Sequence, residues 1–264
     1  MLGFTREESA RRGMPDLRII TCPRRGDRKK RASDLVPSIV DALTRPLTEE
    51  EKKAGNVIPD TPPRIVMTGT LKEVQDFFVG ELNRSEMFAP CSRWTDGLPI
   101  VPPTEEEVAN MLKGTSHAPD EVFPKPMLPS QWEFTVEKVA INGVMAGCKP
   151  EYMPVLLAMA EAMSDEKGSG TLTTTMGFSY MAVVSGAIAK EIGMNWGENF
   201  LNPGNPANAT LGRAMRLMFI NLGNFTPPNM TMTHGHPANY SCCFAEDIWG
   251  SPWPPLGTDY GFKP

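Results

Sequence analysis

Proline and glycine limit the length of every element this chain can build. There are 26 prolines and 23 glycines in 264 residues, scattered so that each regular stretch soon meets a missing N–H donor or an unusually permissive backbone. That density makes the chain loop-rich without reaching the level at which sequences stay disordered. Hydrophobic residues at 41% supply a core, and a chain of this size buries about 70% or more of its unfolded surface. A fibrous repeat, a coiled coil and a disulfide-stapled miniprotein are excluded. The pattern predicts an α/β protein, a mixed sheet with packed helices. Residues 1–90 read as an appended N-terminal segment with a linker, and residues 91–264 as a main domain ending in a loop-rich tail.

Charge and apolar runs narrow the functional classes. The balance is 26 basic against 31 acidic side chains, and a mildly acidic protein lacks the basic face that broad nucleic-acid contact requires. No run of eighteen apolar residues is present, so no membrane-spanning helix is expected. The first residues lack the charged-then-apolar layout of a secretory leader, which predicts a cytoplasmic protein. Most of its five cysteines are then free thiols. One segment opposes the net charge: residues 24–31 carry six basic side chains in eight. Without interleaved aromatic residues it reads as a solvated loop or a subunit contact, or else as a phosphate-contacting run.

Periodicity places the elements. Residues 33–43 form a short helix and Arg64–Thr68 a strand. Thr70 and Glu73 make a capping box ahead of an apolar face through Leu71, Val74, Phe77, Phe78 and Leu82, and Thr104 with Glu107 makes another. Residues 134–147 are helical and stop near Gly147, and Pro150 opens a Met-rich buried helix. Thr171–Met176 and Met181–Val184 have strand composition, residues 187–192 are helical, and a long helix starts near Ala207. Met-rich faces are core.

Four groups carry chemistry. His234 and His236, two apart in an extended tail, point to one side and suit a shared divalent transition metal, with Glu246, Asp247 or a cysteine completing the set. The same imidazoles serve equally as acid–base groups, or simply as loop residues bonded to carbonyls. Cys242 and Cys243 follow, and a neighbouring imidazolium would lower a thiol to thiolate; packing is the alternative for both. Residues 202–213 form an Asn/Gly-rich loop feeding a helix, in which Asn205, Asn208 and Thr210 with Arg213 and Arg216 suit a small anion. The alternative is helix capping by Asn208 with surface arginines. Finally, Asp96 precedes Gly97 in a proline-stiffened loop, either as a turn former or as a positioned carboxylate. No nucleotide-binding glycine fingerprint is present.

Five ordered blocks give a further reading. Asp96-Gly-Leu-Pro-Ile-Val-Pro-Pro-Thr104, residues 137–152, Pro206-Ala-Asn-Ala-Thr-Leu-Gly-Arg213, Thr233-His-Gly-His-Pro237 and Ser251-Pro-Trp-Pro-Pro-Leu256 together resemble a region associated with the UGSC family of selenoproteins and their cysteine forms. The resemblance spans about residues 93–262. That family is named for a Sec- or Cys-Gly-Ser-Cys segment, which this chain lacks. The resemblance therefore implies a partner subunit carrying that motif, and it ranks Cys243 above Cys242. The expectation is an enzyme subunit acting on a small anionic substrate by thiol- or selenol-linked redox or addition–elimination chemistry. His234, His236, Cys243 and Asp96 would be its catalytic groups, and Asn205, Asn208, Thr210 and Arg213 its substrate contacts. Two other readings stand beside it. One is a metal-dependent hydrolase or lyase built on His234, His236 and Glu246; the other is a non-catalytic scaffold docked through the basic run.

Overall fold

A computed structural model describes residues 18, 20, 28–49, 64–82, 91–92, 94–165, 179–225 and 236–262. The chain divides into two compact units, Met1–Val66 and Met67–Pro264. In the first, helix α1 runs over Arg28–Thr44. The basic run therefore enters a helix at Arg28 instead of remaining a loop, and the helix continues through Pro37. Arg18 bonds the carbonyls of Ala42 and Pro46 at 2.8 Å each, satisfying acceptors that a helix C-terminus leaves open.

The second unit is helix-rich with a small two-stranded parallel sheet. Its elements are α2 (Leu71–Val79), β1 (Glu81–Leu82), β2 (Cys91–Ser92), α3 (Glu105–Leu112), α4 (Val136–Ala146), α5 (Met153–Met163), β3 (Ala182–Val184), α6 (Ala187–Glu191), α7 (Pro206–Gly223), β4 (Cys243–Ala245) and α8 (Leu256–Asp259). β1 pairs antiparallel with β2, and β3 parallel with β4 in the register Val183 to Phe244. Arg64–Thr68 takes no strand pairing. The expected strand at Thr171–Met176 lies outside the described residues, whereas that at 181–184 is β3. Among the described residues no helix is long and apolar enough to cross a membrane.

Local chemistry explains the helix ends. Thr70 and Glu73 form the reciprocal capping box expected of them. Thr104 caps α3 through its own hydroxyl, accepting from Glu107 N–H at 3.2 Å. Thr135 opens α4, and Gly147, at φ 85°, closes it in the left-handed conformation that glycine adopts without strain. α2 differs from expectation: its apolar residues are half-buried or exposed, and none is buried. It is held by Gln75, whose side-chain amide exchanges two hydrogen bonds with the backbone of Ile100.

The core lies where α4, α5 and α7 cross. Val139, Ala140, Met153, Leu156, Leu211, Ala214, Leu217 and Met218 have no measurable exposure. Thioethers fill it, because the unbranched, polarisable methionine side chain adapts to irregular gaps between helices. A Cβ on Gly143 would come within 2.8 Å of Leu156, so α4 and α5 meet at that glycine.

Candidate functional site

α7 is the spine of the polar chemistry. Pro206 occupies its first turn, where the missing N–H costs nothing. Along one side it carries Arg213, Arg216 and Asn221. Arg213 grips Asp96 in a fork, with Nε on Oδ2 at 2.9 Å and Nη2 on Oδ1 at 3.0 Å. Nη2 also donates to Pro99 O at 2.8 Å. The Asp96 side chain is 3% exposed and that of Arg213 19%, so the pair is sheltered. Asp96 also accepts from Leu98 N–H at 3.2 Å, with Gly97 at φ 90° completing the turn. Asp96 thus closes its turn and takes the arginine with the same carboxylate. The expectation that Arg213 is open to a substrate anion is corrected, because a carboxylate of this chain already fills its fork.

The rest of the Asn/Gly loop is internally bonded as well. Asn208 is buried and is not the helix cap. Its Oδ1 accepts from Asn195 N–H at 3.0 Å, while Nδ2 donates to Asn195 O at 2.9 Å and Phe200 O at 3.1 Å. Asn205 Nδ2 donates to Asn199 O and Asn202 O, and its Oδ1 accepts from Asn195 Nδ2 at 3.0 Å. Thr210 donates back to Pro206 O at 2.8 Å. Asn205 and Asn208 knot residues 195–205 onto the start of α7, and Thr210 bonds within the helix, which leaves little of their polarity for a ligand.

Arg216 differs. Its guanidinium lies 4.6 Å from the Phe225 ring centre, a cation–π stack. Burial pulls it down to about 10, against the opposing influence of Asp96 and then Tyr240. Among the described residues it makes no hydrogen bond or ion pair. Near the far end of the helix, Asn221 Nδ2 donates to Trp94 O at 3.0 Å and to Asn142 Oδ1 at 2.8 Å. Asn221 Oδ1 is buried without a hydrogen-bond partner among the described residues. Asn142 and Asn221 escaped the sequence reading. The available signal was an amide within each apolar helix pattern.

The tail approaches the same helix. Ser241 donates to Ala209 O at 2.8 Å, and a Cβ on Gly212 would meet Cys242 N at 2.8 Å and Cys243 N at 3.0 Å. His236 is exposed and accepts from Ala238 N–H through Nδ1 at 3.1 Å, capping the short turn Pro237–Asn239. That bond assigns the neutral ring's proton to Nε2. The turn ends at Tyr240, which lies within electrostatic reach of Arg216. His234 lies outside the described residues.

Cys243 is buried in β4, and burial pushes its thiol up to about 12, with Cys242 and Cys148 adding to the rise. Among the described residues desolvation dominates and opposes the expected cation-stabilised thiolate, while His234 lies outside them. Burial likewise pushes Cys148 up to about 12, with the neighbouring Thr210 side chain opposing the rise. Glu246 turns to the backbone, accepting from Leu256 N–H at 2.8 Å through Oε1. Its Oε2 is buried without a hydrogen-bond partner among the described residues. Among the described residues, which include His236 but not His234, no three His, Cys, Asp or Glu side chains are grouped to hold a metal ion. No protein-family model, no curated protein and no solved structure matches the chain.

Proposed function

We propose that this chain is the substrate-holding subunit of a hetero-oligomeric enzyme acting on a small anionic molecule in the cytoplasm. A partner subunit with a Cys- or Sec-Gly-Ser-Cys motif supplies the thiol or selenol for redox or addition–elimination chemistry. The observation that carries this reading is Arg216: a largely desolvated guanidinium, stacked on Phe225, with no acceptor of its own among the described residues. A half-buried cation that no described acceptor hydrogen-bonds, though Asp96 and Tyr240 attract it, is costly, and an incoming carboxylate or phosphate relieves that cost while forming charge-assisted bonds. The Asp96–Arg213 fork then has a supporting role. It fixes the 94–99 loop against α7 so that the surface around Arg216 is set before the substrate arrives. His236, exposed and with Nε2 carrying the proton, is the proton-transferring group on the tail.

Calorimetric titration with succinate and with inorganic phosphate at low ionic strength tests the anion site. We expect saturable binding that weakens by at least about tenfold in Arg216→Met, the scale of one charge-assisted bond. Equal binding by both proteins would overturn the assignment. His236→Ala in the reconstituted complex should lower turnover by about a hundredfold or more, and unchanged turnover would remove the histidine from the reaction.

A further inference from the structure

A cavity of about 670 Å³ lies along β3, and none of the residues around it belongs to the Asp96, Arg213 and Arg216 cluster. Among the described residues its walls are largely apolar. Met159 and Met163 come from α5, Ile188 from α6, and Met215 and Phe219 from α7. Tyr180 stacks on Phe219 at 4.9 Å. Thioethers and aromatic edges make favourable contacts with a flat ring.

Asp165, which pairs with Lys125, and the Ser185 side chain also border the cavity, and the backbone of β3 adds a further polar feature. Ala182 N–H donates to Cys242 O at 3.0 Å, and Val184 O accepts from Glu246 N–H at 2.9 Å. In a parallel ladder those bonds turn residues 182 and 184 towards β4 and leave both the N–H and the C=O of Val183 on the opposite edge. Among the described residues that edge has no second strand. Val183 borders the cavity and is 43% exposed, and no residue of β4 borders it. A largely apolar chamber therefore contains, besides the Ser185 hydroxyl, one adjacent backbone donor and acceptor with no protein partner among the described residues.

Size and count decide what fits. Small-molecule sites run from about 300 to 1,000 Å³, and this cavity lies within that range. A peptide adding as a strand needs a row of outward-facing backbone groups, whereas a three-residue strand offers a single pair here. We propose that this cavity is a binding site for a small planar heteroaromatic molecule with a lactam-type edge. Its N–H donates to Val183 C=O, its C=O accepts from Val183 N–H, and its ring lies among the methionines and Phe219. The proposal is independent of the anion site at Arg216.

Carbostyril, a flat lactam, and its N-methyl analogue are a matched pair of probes, followed by calorimetry or by ligand-observed NMR on the full chain. Saturable carbostyril binding is expected, weaker by at least about tenfold for the methylated compound, which cannot donate. Val183→Pro removes the N–H without touching a ladder bond and should weaken carbostyril to a similar extent. Ala158→Phe places a ring in the cavity from an exposed position and should abolish binding with the helical circular dichroism unchanged. Equal affinity for the two probes, or no saturable binding of carbostyril, overturns the proposal. A preference for an acetylated tri-valine amide over both probes also overturns it, in favour of strand addition. If Val183→Pro does not fold, the comparison of probes on the unmodified chain decides.

Discussion

Arg213 and Arg216 sit one helical turn apart on α7, yet they are in opposite situations. Around Arg213 the polar groups are satisfied: a forked carboxylate, two backbone carbonyls, and behind them the asparagine knot at 195, 205 and 208. Around Arg216 there is an aromatic ring, with Asp96 and Tyr240 in electrostatic reach but no hydrogen-bonded acceptor among the described residues. The contrast teaches how to tell structural from functional charge. A buried cation that the protein neutralises itself contributes to a defined fold, whereas one left waiting raises the energy of the empty state and rewards a ligand.

The comparison can be broken most severely at Asp96. Asp96→Ala leaves Arg213 sheltered and uncompensated, and should cost roughly 3–5 kcal/mol in urea unfolding; a loss below about 1 kcal/mol would mean that the fork is not structural. Asn208→Ala strands the N–H of Asn195 and the C=O of Phe200, and leaves Asn195 C=O only its bond from Ala245 N–H at 3.4 Å, for a loss of roughly 2–4 kcal/mol. Alkaline pH gives a smaller, graded effect through Cys148 and Cys243. Their folded thiols ionise near 12 against an ordinary 9.0, so the unfolded chain loses protons first. The stability they contribute is intact below pH 9 and declines as pH climbs towards 12. The Cys148→Ala, Cys243→Ala pair should flatten that decline, and an unaltered slope would count against buried thiols. Arg216→Met should change stability least, by no more than about 1 kcal/mol in either direction, because among the described residues it breaks no hydrogen bond or ion pair, and the desolvation it relieves offsets the lost stack on Phe225 and the attraction of Asp96 and Tyr240. A cost matching that of Asp96→Ala would erase the distinction between the two arginines.

Much of the helical framework was legible in the sequence, because its signals are local. Gly147 ends α4, Pro206 opens α7, and Thr70 with Glu73 caps α2, each within one turn of the element concerned. Arg64–Thr68 shows the limit of such signals. Strand composition alone builds no strand without a neighbour to pair with. The site was legible only as a set of parts. Residues 96 and 213 were each singled out, but nothing in either stretch says that one neutralises the other. Cys243 shows the same limit: adjacency to histidines in the sequence says nothing of burial, and the fold packs that thiol against α7, where desolvation raises it. Asn142 and Asn221 needed a different question, namely why an amide stands inside a core pattern.

The Asp96–Arg213 fork spans 117 residues, and that separation matters while the protein is being made. Chains emerge from the N-terminus at about 5–20 residues per second, so Asp96 is made several seconds or more before its arginine exists. During that interval the 94–99 loop has no counter-charge and α4 has no α7 to cover it. Nascent chains of this protein should therefore remain dependent on protection from aggregation until α7 leaves the ribosome, and then close in one late step.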